Sequence, residues 1–221
     1  MKRMKQIAVL LAAGLLLSGC ADAGEDILAV RIDEAAERTI LTANTSDSYA
    51  SYYLQPSFGR ISYEGTCTVF NIYGMKLYMN LRAQEIIREA YYDSTEAQSL
   101  PDGADLTLSG TYEDINGTIY SYEAGLYGTD GWYVVYLQTA YADFLAAGTL
   151  EQVSTCAGEG MAIARSLTVD TESVKEDYSQ RRDITYTTSS LELFETLIPE
   201  EGSIDEILTE SGTATASPES E

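Results

Sequence analysis

The chain has 221 residues, with 35 Asp and Glu against 13 Lys and Arg, a formal net charge of -22 and no histidine. A charge so far from zero repels nucleic acid, heparin-like polymers and anionic headgroups, and it favours cationic ligands. Without imidazole, neither a Ser-His-acid nor a Cys-His nucleophile is available, and zinc sites of the common hydrolase type lose their usual ligand.

Lys2, Arg3 and Lys5 precede an apolar run from Ile7 to Leu17 that no acidic residue interrupts. This is the layout of an export signal. A run of about 10 apolar residues is too short to cross roughly 30 Å of hydrocarbon. It ends in Leu17-Ser18-Gly19-Cys20, and with that tetrapeptide the segment resembles a bacterial lipoprotein signal peptide. The resemblance implies cleavage before Cys20 and acylation of Cys20, palmitate included. It also implies residence on the extracytoplasmic face of a bacterial membrane. Several acyl chains hold a protein at a bilayer where one chain gives only marginal attachment. Residues 1–19 are thus read as the signal peptide and 20–25 as a short tether, with the lipid bilayer as the first expected partner.

Residues 26–170 are read as a single domain. Asp26 is a candidate cap for a helix running to Leu41, with Leu28, Ile32 and Ala35 or Ala36 on one stripe. Residues 48–55 read as a strand, as do Thr66 to Tyr73 and Met75 to Leu81. In the last of these, Met75, Leu77, Met79 and Leu81 alternate with polar or amphipathic residues. A helical pattern follows from Ala83 to Tyr92, then a loop over 93–104. Leu106 to Glu113 and Thr118 to Tyr127 form a hairpin across Asp114-Ile115-Asn116-Gly117, because Asn-Gly supplies the positive backbone angles of a tight turn. Thr129-Asp130-Gly131 leads into a third strand, Trp132 to Thr139. Thr149 with Gln152 has the form of a capping box opening a helix, in which Gly158 and Gly160 mark either a break or a kink.

Two cysteines remain besides Cys20. Cys67 and Cys156 form an even pair in an exported chain, the composition expected of a disulfide bond, with two buried thiols as the alternative. Residues 183–221 carry no Lys or Arg and ten acidic residues. Residues 171–221 are accordingly read as an acidic, largely disordered tail. Two patches depart from that composition, Leu191 to Ile198 and Ile204 to Leu208. They suit docking helices for a partner or for the domain itself, or transient helices in a disordered chain.

No Walker sequence or dinucleotide fingerprint is present, and the sequence points to no cofactor and no metal. Paired carboxylates remain available for glycoside hydrolysis, from Asp33, Glu34, Glu64, Glu85, Glu113, Asp114 and Glu123, but no pair among them stands out. Asp114, Asn116 and Glu113 lack the spaced ligands of a calcium loop, and the turn explains them better. Tyrosine is the unusual side chain, with 17 copies against four Phe and one Trp. Tyr suits recognition surfaces and also the boundary of a sheet. Tyr78, Tyr120, Tyr122 and Trp132 make the candidate recognition surface, with Tyr120 and Tyr122 on one strand face.

The fold class expected is α/β of the α+β type, a mostly antiparallel sheet with helices packed on one face. An initial helix, a tyrosine-rich sheet and a closing helix, with Tyr52-Tyr53-Leu54-Gln55-Pro56 and Trp132-Tyr133-Val134-Val135-Tyr136, resemble the PsbP/Mog1-like lipoproteins over residues 26–168. That resemblance implies a binding or assembly module rather than an enzyme. The expected function is a non-catalytic binding or scaffolding lipoprotein whose partner is an envelope protein. The alternative is a lipoprotein that binds a sugar or a small cationic ligand.

Overall fold

A computed structural model describes residues 23–92, 99–129, 131–180 and 190–198. The signal peptide, Cys20 and the patch from Ile204 to Leu208 lie outside the described residues. Helix α1 (Ala23–Glu37) leads to the short strands β1 (Thr45–Ser46) and β2 (Ala50–Tyr52). Strands β3 (Gly59–Glu64), β4 (Cys67–Ile72) and β5 (Met75–Leu81) follow, then helix α2 (Ala83–Tyr92). A four-strand run comes next: β6 (Leu106–Glu113), β7 (Ile119–Thr129), β8 (Trp132–Gln138) and β9 (Ala142–Gly148). Helix α3 (Leu150–Ser166), strand β10 (Thr168–Val169), α4 (Thr171–Ser179) and α5 (Ser190–Leu197) close the order.

Seven strands form one sheet in the order β3-β4-β5-β9-β8-β7-β6, and β1, β2 and β10 form a second. Every pairing in both is antiparallel, as the α+β reading expects. The hairpin between β6 and β7 turns at Gly117, whose φ is 79°. Asp114 braces that turn by accepting from the amides of Asn116 at 2.9 Å and Thr118 at 2.8 Å.

Strand alternation sorts the side chains onto two faces. Phe70, Ile72, Leu77, Met79, Leu137 and Phe144 point to the first face and are fully buried against helical residues such as Leu28, Ile32, Val153 and Met161. Helix α3 lies on this face, and α1 packs on α3. Gly158 and Gly160 do not break α3; they let it approach its neighbours. A Cβ on Gly158 would stand 2.8 Å from the carbonyl oxygen of Arg31 in α1, and one on Gly160 would stand 3.1 Å from the ring of Phe144. At the amino end the Thr149 amide donates to Gln152 Oε1 at 2.9 Å, so the expected cap interaction is present.

The end of α3 is tied by buried Arg165. Its guanidinium donates to the Ala35 oxygen at 3.0 Å and also to the Arg38 oxygen, covering the carbonyls where α1 runs out. Its Nε donates to the Glu113 oxygen at 3.0 Å, which attaches the β6–β7 hairpin to the same point. Glu159 of α3, also buried, accepts from Arg38 at 3.0 Å and Gln55 at 2.9 Å.

Three expectations need correction. Helix α1 begins at Ala23, inside the stretch read as a tether. Helical packing also runs past residue 170 and is not confined to one face. In α4, Val174 is buried with Ala83, Ile86 and Ile87 of α2, and α5 buries Phe194 on the second face of the sheet.

The third correction concerns the cysteines. Among the described residues there is no disulfide bond: Cys67 and Cys156 are both free. Phe70 and Ile72 place the even residues of β4 on the α3 side, so Cys67 points to the other face, while Cys156 belongs to the core beneath α3. The sheet separates the two thiols, and no bridge reaches through a strand layer. Burial pushes the Cys67 thiol up to about 11, helped by the charge of Glu64, and the Cys156 thiol to about 12, helped by Glu159. Both remain protonated at neutral pH.

Replacing Gly158 with Ala should lower unfolding stability by roughly 2 kcal/mol in urea titrations, because the new methyl meets backbone rather than a movable side chain. An unchanged midpoint would contradict the close approach of α1 and α3.

Candidate functional site

The second face carries a row of polar side chains at matched register. Glu64 pairs with Cys67, Cys67 with Asn80, Asn80 with Asp143, Asp143 with Gln138, Gln138 with Glu123 and Glu123 with Ser109. Directly paired residues share a face, so each of the seven strands contributes one member and none is aliphatic. Two residues further along, the same strands present Val69, Tyr78, Leu145 and Tyr136. That second row is the apolar seat of α5, where Phe194 meets Tyr136 at 6.0 Å and Tyr127 at 4.5 Å between ring centres.

The middle of the polar row is buried. Asp143 is 2% exposed, and Asn80 and Gln138 are 7% exposed. Asn80 accepts from Thr66 at 2.9 Å and donates to Ser190, the first residue of α5, at 2.9 Å. The Tyr136 hydroxyl donates to Asp143 Oδ2 at 2.9 Å. Arg82 sits beside the row, with Nε 3.9 Å from Asp143 Oδ1, Nη2 3.5 Å from Glu85, and Nη1 donating to the Thr139 oxygen at 2.9 Å. Burial raises the Asp143 carboxyl to about 6. The Arg82 charge and the hydroxyls of Ser190 and Tyr136 oppose the shift without cancelling it. The Tyr136 phenol is driven far up, by burial first and by the Asp143 charge second.

At the Glu123 end the row opens into a cavity of about 330 Å³, lined by Arg82, Ser99, Ser121, Glu123, Gln138 and Thr139 among others. Gln138 Nε2 has no hydrogen-bond partner among the described residues. This combination of a cavity, a guanidinium, a carboxylate and a buried amide with unused donor capacity is the strongest candidate site among the described residues.

The four aromatic residues of the expected recognition surface do not come together. Tyr120 and Tyr122 belong to the α3 side, and both also line the cavity of about 330 Å³. Tyr122 is buried with its ring over Gly110, its direct cross-strand partner, and Tyr120 packs with Tyr112 and Tyr141. Tyr78 and Trp132 belong to the opposite face. Tyr78 lies level with Tyr136 through Leu145, and Trp132 is four residues along β8 from there. Other tyrosines fasten helices: Tyr91 donates to the Lys175 oxygen at 3.1 Å, Tyr92 and Tyr178 share a hydroxyl contact, and Tyr49 donates to Asp177 at 3.0 Å.

Of the seven carboxylates singled out in the sequence, only Glu123 lines the cavity among the described residues. Asp114 is spent on its turn, and Asp33, Glu34, Glu64 and Glu113 are exposed elsewhere. No group of three or more Cys, Asp or Glu able to hold a metal occurs among the described residues. Sequence reasoning missed Asp143, Gln138 and Arg82. Their signal was the single Asp in the apolar run Ala142–Gly148, a run that reads as a strand buried on both faces. No family model, no curated protein and no solved structure matches the chain.

The raised Asp143 carboxyl has a definite linkage sign. A folded value above the ordinary 3.8 contributes stability that is complete below about pH 4 and is lost as pH rises through about 6. Asp143→Asn should remove that decline, on the order of 2 kcal/mol, from the pH profile of unfolding stability. A profile with the same slope in variant and parent would show that Asp143 titrates normally.

Proposed function

We propose that the chain is a membrane-anchored extracytoplasmic lipoprotein and that its folded part is a non-catalytic binding module. The amino-terminal motif supports the anchor, through Lys2, Arg3 and Lys5, the apolar run, and Leu17-Ser18-Gly19-Cys20. Helix α1 begins three residues after Cys20, so an acylated Cys20 would hold the domain close against the bilayer.

The single observation that carries binding is Gln138. A buried amide donor without a partner costs about 1–3 kcal/mol, and this one stands at a cavity of ligand size. Function is the ready explanation for keeping such a group at such a place. Its neighbours narrow the ligand. Gln138 and Arg82 offer donors, while Glu123 and Ser121 offer acceptors, so a hydroxyl group, which both donates and accepts, satisfies each side. An anion would meet the charges of Glu123, Glu85 and Asp143. The geometry therefore favours a small neutral polyol, a sugar by preference, and gives the sugar-binding alternative its specific support.

Thermal unfolding of the full chain with a panel of neutral monosaccharides and disaccharides tests this reading. At least one sugar should raise the melting temperature, and Gln138→Leu should abolish that rise while making the free protein about 1 kcal/mol more stable. No rise with any sugar would overturn the assignment of the cavity. The anchor has its own check in the intact mass of protein from the native host. The expected species starts at an acylated Cys20, and an unprocessed Met1 start would refute it.

A further inference from the structure

The other end of the second face holds a different chemistry. A hollow of about 180 Å³ lies where the loop before β6 meets β7, β8 and the end of α5, lined by Asp102, Asp105, Tyr127, Trp132, Val134 and Ile198 with two glycines. We infer that this hollow is a second ligand site and that it takes a small organic cation, an alkylammonium group, between the Asp102 and Asp105 carboxylates and Trp132.

Three features select that class. The first is fixed negative charge. Asp105 Oδ2 accepts the Gly128 amide at 2.7 Å, which pins its carboxylate beside β7. Asp102 is exposed and makes no hydrogen bond or ion pair with another described residue, leaving its charge for a ligand. That charge is felt in the hollow, since the Tyr127 phenol is pushed up to about 12 by burial and, second, by Asp102. Among the described residues, no Lys or Arg lines the hollow to neutralise it.

The second feature is the apolar wall. An indole ring attracts a cation through its electron-rich face, and the half-buried Trp132 stands at the hollow with Ile198, while Tyr127 and Val134 are buried beneath it. The Tyr127 ring is held by its hydroxyl, which donates to the Pro101 oxygen at 2.7 Å, and by Phe194 of α5. A hard divalent cation needs a shell of six or more oxygens, which two carboxylates among rings and alkyl groups do not supply. An organic ammonium sheds its weaker hydration readily.

The third feature is the field of the whole molecule. A net charge of -22 raises the local concentration of cations and repels competing anions. The inference stands apart from the anchor and from the cavity at Gln138, because it uses neither.

Trp132 is the only tryptophan in the chain, so its fluorescence reports this hollow alone. Choline chloride titrated into the full chain at constant ionic strength should change the emission saturably. The neutral isostere 3,3-dimethylbutanol should not. Asp102→Asn, which touches no internal hydrogen bond, should weaken choline binding about tenfold while leaving the melting temperature unchanged. Gln138→Leu should bind choline as the parent does. The inference is overturned by an emission that does not respond to choline, by an equal response to the neutral isostere, or by unaltered affinity in Asp102→Asn. Displacement of choline by calcium at equal concentration would also overturn it, since that marks a nonspecific acidic surface.

Discussion

Helix α3 is the element on which the rest of the architecture depends, because it is buried on two sides at once. One side lies on the sheet at Phe144 and the other against the backbone of α1 at Arg31. A helix between two layers has no solvated stripe to lend it the usual amphipathic pattern, and at its two tightest contacts only a hydrogen fits. Gly158 and Gly160 are therefore packing residues in a continuous helix, despite the helix propensity they forfeit. The carboxyl end of α3 then gathers two distant segments through Arg165, whose donors satisfy carbonyls at the end of α1 and one at the end of β6. A charge so placed is retained because Nε and Nη1 both find backbone oxygens.

With the first face closed by α3, the second face is free to differ, and it does. Its apolar half is covered by α5, from the acidic segment that follows residue 170, and its polar half runs across all seven strands in register. Burying Asp143, Asn80 and Gln138 in the middle of a sheet is expensive unless their hydrogen bonds are met. Tyr136, Ser190 and Thr66 meet some of them, and Arg82 adds its charge 3.9 Å from Asp143. Among the described residues, Asp143 Oδ1 and Gln138 Nε2 in this row are left without a hydrogen-bond partner, and of the two residues Gln138 lines the cavity. Polar groups and an opening thus coincide at one end of the face, while carboxylates and aromatic rings coincide at the other.

The tyrosines and cysteines show why composition misleads without geometry. Seventeen tyrosines suggest a recognition surface, yet those described in detail mostly cover strand glycines or fasten helices with a hydroxyl at the boundary of the core. A flat ring restores the surface that glycine lacks, and its hydroxyl still reaches a partner at the edge. Two cysteines in an exported chain suggest a bridge, yet alternation in β4 turns Cys67 away from the side on which Cys156 is buried. In both cases the decisive quantity is which face of the sheet a side chain occupies.

The elements with strong local signals were legible from residues alone. The bounds of α2 match the sequence pattern, β5 follows its alternation, the β6–β7 turn sits at Asn116-Gly117, and the cap of α3 is the Thr149–Gln152 pair. These are short-range effects, set by periodicity, turn chemistry and capping. Strand β9 was not legible, because an apolar run buried on both faces shows no alternation and its turn from β8 contains no glycine or asparagine. Nor were the sites, because Asp143, Gln138, Glu123 and Arg82 are scattered along the chain and meet only when β9 inserts between β5 and β8. Local chemistry determined where α2, α3 and the β6–β7 turn begin, though not the start of α1. The order of strands across the sheet decided which side chains share a face, since that order comes from pairing between segments distant in the chain.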